Sequence, residues 1–127
     1  MRRVLLAGLA ILGGCSIGMQ PGKTYTSETF TVPVGYQEAY RRADAQPRKC
    51  LTDWTTSGNI FTDNKTGVVR VSMEMYAKGD LMRVALKEVA GASTEVTVTV
   101  ADVGVFNQEQ LDAMRRSIES GSPECRK

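Results

Sequence analysis

Three cysteines and the complete absence of histidine decide which chemistry this chain can carry out. Without histidine, neither a Ser-His-Asp triad nor a Cys-His pair can form, and a histidine-ligated metal site is excluded. Catalysis by carboxylates or lysine alone is chemically available, but Asp53 and Asp63 lie in predicted turns and converge on no second carboxylate. We therefore expect no catalytic residue, no cofactor and no bound metal. The remaining chemistry lies in the cysteines Cys15, Cys50 and Cys125.

Cys15 follows a short apolar segment at the start of the chain. Two arginines precede an apolar run over residues 4–12, which is shorter than the about 20 residues that a membrane-spanning helix needs. This pattern is typical of a cleaved export signal. The tetrapeptide LGGC that ends at Cys15 resembles the bacterial lipobox, in which a leucine and small residues precede the cysteine, although Gly13 replaces the commoner alanine, serine or threonine.

The resemblance to the lipobox implies that residues 1–14 are removed and that Cys15 carries acyl chains. Several acyl chains anchor a protein durably, whereas a single chain binds a membrane only marginally. Because Ser16 and not an aspartate follows the cysteine, the resemblance implies the outer membrane, on its periplasmic face. Residues 15–27 are then the lipidated cysteine and a flexible tether. The alternative is an ordinary signal peptide that happens to contain a cysteine.

Cys50 and Cys125 remain as an even pair once Cys15 is assigned to the lipid. An exported protein reaches an oxidising compartment, where an even number of cysteines predicts a disulfide. The bridge would enclose 75 residues, and the loss of loop-closure entropy predicts a stabilisation of roughly 4–5 kcal/mol. Two free thiols or a redox pair are the alternative, but the two cysteines lack CxxC spacing.

The charge balance argues against a nucleic-acid partner. The chain has 16 Lys+Arg and 14 Asp+Glu residues. Arg2 and Arg3 lie in the predicted signal, so the remaining chain has 14 residues of each sign. Strong non-specific attraction to nucleic acid requires an excess of basic residues, which is missing here.

The hydrophobic pattern predicts the elements that position these residues. Alternating apolar residues over 28–34 predict a strand that lies at an edge or ends at Pro33. A helix is expected after Gly35, and we expect Pro47 to break it. Alternation over residues 58–101 then predicts four consecutive antiparallel strands with one apolar face.

A second helix is predicted near the carboxyl end of the chain. Asn107 is a good N-cap, and Gln110 stands three residues later, where its side chain can complete a capping box. Gly121 and Pro123 mark the end of this helix. Cys125 follows directly, so the helix brings it towards the end of the first helix if both helices cover the same sheet face.

The order strand, helix, four strands, helix predicts a single α+β domain over residues 28–127. Two helices would cover one apolar face of an antiparallel sheet. This order resembles the helix-grip domains of the BamC family of outer-membrane lipoproteins, over about residues 28–122. The resemblance implies an accessory role in the assembly of outer-membrane proteins. It rests on element order and pattern alone, so no site residue is carried over, and the cysteine pair is an added feature.

Basic residues cluster around the first predicted helix. They are candidates for contact with lipid phosphates or with an acidic partner: Arg41, Arg42, Arg48 and Lys49. The alternative is that these residues form the solvated face of an amphipathic helix. Glu38 and Asp44 lie in the same segment and partly neutralise its positive charge.

Methionines and one tryptophan offer a second candidate feature. Met73, Met75 and Met82 would line an adaptable apolar pocket or, as their alternation with polar residues favours, pack in the core. Trp54 is either part of an aromatic platform or, as we favour, a plug at the edge of the core.

These observations favour a non-catalytic lipoprotein that binds an envelope protein. A small carrier of an apolar ligand, held between helix and sheet, is the alternative function. A hydrolase that works through carboxylates such as Asp44, Asp53, Asp63 or Glu74 is a third and weaker hypothesis, because no motif brings them together.

Overall fold

A computed structural model describes residues 25–73 and 79–127. Cys15, the predicted signal, most of the tether, Glu74 and Met75 lie outside these residues. The described chain forms one antiparallel sheet and two helices: β1 Thr26–Val32, α1 Tyr36–Cys50, β2 Thr55–Phe61, β3 Thr66–Ser72, β4 Met82–Val89, β5 Ser93–Val100 and α2 Gln108–Ser120. The predicted α+β class and element order are therefore confirmed. Strand β1 begins two residues before the domain start that the sequence predicts at position 28.

The five strands lie side by side in the order β1-β5-β4-β3-β2. All four strand pairs are antiparallel. The first strand along the chain therefore pairs with the last, and β1 and β2 form the two edges of the sheet. Pro33 directly follows β1, as expected for an edge strand that ends there.

One face of the sheet carries the core. Alternate residues of β3, β4 and β5 are fully buried on this face, and both helices pack against it. The side chains with essentially no exposure include Val69, Val71, Met82, Val84, Val96, Val98, Val100, Leu111, Met114 and Ile118. Within the described ranges, neither helix is long and apolar enough to cross a membrane.

Helix α1 runs without a break through Pro47, so the predicted break there is wrong. Pro47 lies in the last turn, three residues before the helix ends at Cys50. It removes one backbone donor, but its own carbonyl accepts from the Leu51 N–H at 2.8 Å. The proline ring is also buried, and the burial of apolar surface offsets the missing hydrogen bond.

The N-terminus of α1 has no capping side chain of its own, since Gly35 occupies the N-cap. Instead, Glu88 of β4 reaches it, and its Oε1 accepts from the Tyr36 N–H at 3.4 Å. A carboxylate at this end is favourable because the helix dipole places partial positive charge there. This contact joins α1 to the sheet.

Helix α2 begins and ends as predicted, but its capping box is only half formed. The Asn107 Oδ1 accepts from the Gln110 N–H at 3.2 Å, and Gly121 ends the helix in the left-handed conformation with φ 82°. The Gln110 side chain does not turn back to the N-cap. It is completely buried between the helices, where it finds another partner.

Candidate functional site

The predicted disulfide between Cys50 and Cys125 is present. Cys50 is the last residue of α1, and Cys125 follows α2 in the carboxyl-terminal tail, with their Cα atoms 5.3 Å apart. The bridge spans 75 residues of sequence. It therefore ties the end of one helix to the segment that follows the other.

A chain of buried polar groups continues from the disulfide into the space between the helices. Gln46 Nε2 donates to the backbone carbonyl of Glu124 at 3.2 Å, and Gln110 Nε2 donates to Gln46 Oε1 at 3.0 Å. Ser117 Oγ accepts from the Glu124 N–H at 2.8 Å. Gln46 and Gln110 have no exposed surface. These bonds hold the tail against both helices.

The first two basic residues of the predicted cluster share one acidic partner. Arg41 donates to both oxygens of Glu38, at 2.9 Å and 2.6 Å, and Arg42 donates to Glu38 Oε1 at 3.0 Å. Arg42 also donates to the Ile118 carbonyl at 2.9 Å, in the last turn of α2. A cation is favourable at that helix end, so Arg42 joins the two helices.

The other two basic residues also have internal partners. Arg48 Nε donates to Asp44 Oδ2 at 2.9 Å, and Lys49 Nζ donates to the Pro123 carbonyl at 3.4 Å. Arg41 and Arg48 keep more than half of their side-chain surface exposed. Contact of this cluster with phosphate or an acidic partner stays a prediction, and Arg41, Arg48 and Lys49 are its exposed members.

The ion pairs around Glu38 predict a measurable pH effect. Hydrogen bonds from Arg41 and then Arg42 lower the pKa of the Glu38 carboxyl from 4.5 to about 2. Because the folded pKa lies below the unfolded one, the stabilisation is complete above pH 4.5 and is lost as the pH falls towards 2. We expect a carboxyl-carbon NMR titration of Glu38 to give a midpoint of about 2.

The variant Arg41→Gln should raise the pKa of Glu38 towards its ordinary value, since Arg41 is the largest cause of the shift. Arg48→Gln serves as the control, because Arg48 pairs with Asp44 and not with Glu38. An unchanged Glu38 midpoint in Arg41→Gln would contradict the assignment.

Trp54 packs at the edge of the core, as we favoured from the sequence. Its ring meets the Phe106 ring edge-on, with centroids 4.9 Å apart and planes at 83°. It also lines an open cleft of about 310 Å³ at the disulfide end of the molecule, together with Leu51, Val105, Asp53, Gln110, Arg126 and the disulfide itself. The cleft combines apolar walls with charged and amide groups.

Of the three candidate methionines, Met73 and Met82 pack in the core and line neither of the clefts described here, and Met75 lies outside the described residues. Met82 is completely buried, and Met73 packs partly buried against the same cluster. Gln110 and the apolar residues of the helices fill the space above Met82. This packing gives no support to a ligand held between helix and sheet.

The edge strand β2 is the most exposed regular element of the described chain. Its sequence TTSGNIF contains no charged residue and no proline, and it pairs with β3 on one side only. Ile60 and Phe61 are 39% and 50% exposed. Gly58 lies under the Tyr40 side chain of α1, where a Cβ atom would collide with the phenol. Any larger residue at position 58 would have to displace the Tyr40 ring from the edge.

The sheet face that the helices leave uncovered continues from this edge. Phe61 lines a shallow cleft of about 350 Å³ on that face, together with Val68, Ala85, Lys87, Glu95 and Thr97. Hydroxyl groups pair across the far strands, with Ser27 and Thr99 at 3.0 Å and Thr29 and Thr97 at 2.9 Å. An apolar spot therefore borders β2 on a face that is polar elsewhere.

Neither the open edge β2 nor the cleft beside Trp54 was predicted from the sequence. The sequence did contain a signal for the open edge. The strand is uncharged and contains no proline, so it lacks the lysines and prolines that protect edge strands from pairing with another chain. The cleft had none, because it combines residues from α1, α2, a loop and the tail.

Among residues 25–73 and 79–127, no cluster of three or more acidic, cysteine or histidine side chains could hold a metal ion. Asp44 pairs with Arg48, and no second carboxylate joins it in that contact. The sequence matches no protein-family model and no curated protein. The candidate site therefore consists of the open edge of β2 and the cleft at the disulfide end.

Proposed function

We propose that this protein is a lipoprotein of the bacterial outer membrane that binds an envelope protein on the periplasmic face and catalyses no reaction. Cys15 carries the lipid anchor, and the tether of residues 15–27 links it to the domain. The observation that carries the binding function is the unprotected edge strand β2. An open strand edge is a ready template for an added strand.

The composition of β2 defines the partner segment. Because β2 is uncharged and presents Ile60 and Phe61, a segment that is extended, uncharged and apolar at one end fits it. Backbone hydrogen bonds along the strand would supply affinity, and the apolar spot beside Phe61 would supply specificity. The opposite edge β1 carries Glu28 and ends at Pro33, so it is a poorer template.

The element order supports a particular process in which the proposed binding would take part. The similarity in order to the helix-grip domains of the BamC family supports an accessory role in outer-membrane protein assembly. The disulfide supports an oxidising compartment, since such bonds persist outside the cytosol. The low net charge of the chain supports a protein partner and gives no support to nucleic acid.

The test places a photo-cross-linking amino acid at Asn59 of β2 in the full chain in living bacteria. We expect one envelope protein to cross-link from Asn59 in the outer-membrane fraction. The purified partner should then bind the domain directly, and Ile60→Lys should weaken that binding at least tenfold, because a charge on the edge opposes strand addition.

The matched controls are a cross-linker at Thr29 and the variant Thr29→Lys on the opposite edge. Neither should report or change the interaction. Cys15→Ser should release the chain from the membrane fraction without affecting direct binding. A cross-link from Asn59 to a second copy of this chain would show self-association in place of a partner. Equal effects of Ile60→Lys and Thr29→Lys would refute binding at β2.

A further inference from the structure

We propose that the uncovered face of the sheet lies against the phosphates of anionic lipids in the membrane that carries the anchor. Arg70 of β3 and Arg83 of β4 make the contact, at the end of the sheet where β1 begins. This contact rests on the lipid anchor proposed at Cys15. It does not depend on strand addition at β2.

The two arginines are neighbours on the uncovered face. They lie directly opposite each other where β3 pairs with β4, and their side chains are 43% and 46% exposed. Successive side chains of a strand point to opposite faces of a sheet. The residues on either side of each arginine are completely buried under the helices, so both arginines project from the other face.

Asp80 holds both guanidinium groups at this position. Its Oδ2 atom accepts from Arg83 Nη2 at 2.7 Å and lies 3.4 Å from Arg70 Nε. Because both contacts end at the same oxygen, the two guanidinium groups lie side by side. Two positive charges and one negative charge leave a net positive charge, and planar guanidinium groups match the oxygens of a phosphate.

Short side chains surround the arginine pair. One lateral row of residues crosses all five strands there, and its other members carry hydroxyl groups: Ser57, Thr99 and Ser27. Lys87 and Glu95 lie opposite each other at the far end of the face and balance each other in charge. The net charge of the uncovered face therefore lies at the arginine pair, and short neighbours leave it accessible to lipid headgroups.

The chain from Cys15 enters the domain at the same end. Thr26 is the first residue of β1, and Ser27 lies in the lateral row of Arg83, two strands away. Neighbouring strands are about 4.8 Å apart, so Ser27 is about 10 Å from Arg83. Eleven residues connect Cys15 to Thr26 and span at most about 40 Å. A lipid on Cys15 therefore keeps the arginine pair close to the membrane.

The helix side of this end has the opposite charge. Three carboxylates lie there near the start of β1: Glu28, Asp102 and Asp112. Gln108 donates to Glu28 at 2.9 Å and to Asp112 at 2.8 Å. Arg115, 3.6 Å from Glu28, supplies a single positive charge against the three. An anionic membrane attracts the arginine side and repels the acidic side, so the domain turns its uncovered face to the lipids.

Lipid contact at the arginine end leaves the site proposed at β2 free. Phe61 lies in the lateral row of Lys87, which is four residues along β4 from Arg83. Four residues of a strand span about 13 Å. The open edge and its apolar spot therefore remain available to a protein partner while the arginines contact phosphate.

The test couples the full, oxidised chain to vesicles through Cys15, the single free thiol when Cys50 and Cys125 are bridged. A maleimide-bearing phospholipid reacts with this thiol whether or not cells acylate it. Failure of lipid contact is therefore distinguishable from failure of the native anchor, which Cys15→Ser tests.

A photo-cross-linking amino acid at Ala85 reports contact with lipid. Ala85 is exposed and lies two residues from Arg83 on the same face. We expect lipid cross-links in vesicles that contain phosphatidylglycerol, which is anionic, and a much lower yield in vesicles of phosphatidylcholine alone. Gln108 is the matched control position, since it is exposed and bonded to Glu28 near the start of β1 but lies on the helix side. It should give little lipid cross-linking.

Charge variants identify the groups that bind the lipid. The double variant Arg70→Gln/Arg83→Gln should lower the yield from Ala85 about tenfold, whereas Arg70→Lys/Arg83→Lys should retain it. The matched control Arg41→Gln/Arg48→Gln removes the same charge from α1 and should leave the yield unchanged.

Three results would each overturn the contact. The first is no lipid cross-link from Ala85 in anionic vesicles, or the same yield in both kinds of vesicle. The second is an equal yield from Ala85 and Gln108. The third is an equal loss in the sheet variant and the α1 variant, which would show an effect of overall charge in place of a contact at the arginine pair.

Discussion

The double variant Cys50→Ala/Cys125→Ala is expected to lower the free energy of unfolding by about 4.5 kcal/mol. The bridge closes a loop of 75 residues, and the unfolded chain gains the corresponding conformational freedom when the bridge is removed. Small domains have a total stability of about 5–15 kcal/mol, so the loss is a large part of it. Urea unfolding of the oxidised wild type and the double variant measures the difference.

Both cysteines are replaced together so that no unpaired thiol remains at either position. The slope of the free energy against urea concentration should also rise, since a chain without the cross-link exposes more surface when it unfolds. A matched control is Cys15→Ser, which leaves the bridge intact and should leave the stability of the domain unchanged. A difference below about 1 kcal/mol between the oxidised wild type and the double variant would contradict the entropic account.

The sequence predicted most of the fold because the sheet has one buried face. Strict alternation in β3, β4 and β5 shows directly which residues meet the helices. The disulfide was predictable as well, since Cys50 and Cys125 were left as an even pair. The order of the strands across the sheet was not predictable. Strand β1 pairs with β5, which is far away in the sequence, and a local pattern carries no information on such a pairing.

The errors at Pro47 and Gln110 share one cause. Both predictions used local preferences, namely that proline breaks helices and that glutamine three residues after an N-cap completes a capping box. Tertiary contacts override both. Pro47 is buried in the last turn of α1, and Gln110 bonds to Gln46, which lies 64 positions away in the sequence. A local reading of the sequence cannot supply such partners.

The candidate site was less predictable than the fold. Arg42 looks like a surface cation in the sequence, but it is bonded to the last turn of α2. The cleft beside Trp54 is lined partly by the tail, which the disulfide and the buried glutamines join to both helices. Its lining therefore depends on contacts between residues that are far apart in the sequence.

Phe106→Ala is expected to destabilise the domain by about 3–5 kcal/mol, the cost of deleting a fully buried aromatic side chain. Phe106 is 1% exposed and directly precedes the N-cap of α2. Its loss leaves a cavity and removes the edge-on contact with Trp54. In the wild type, the centroids of the Phe106 and Trp54 rings are 4.9 Å apart. Emission from Trp54, the single tryptophan, should shift to the red in the folded variant as water reaches the ring.

Phe61→Ala makes the same chemical change at an exposed position and therefore separates stability from binding. Phe61 is 50% exposed, so we expect its loss to change the free energy of unfolding by no more than about 0.5 kcal/mol. The same variant should weaken the partner proposed for β2, because Phe61 is the largest apolar side chain beside that edge. Phe106→Ala should leave binding unchanged at temperatures where it stays folded. Equal destabilisation by the two substitutions would show that the core does not extend to Phe106 as described.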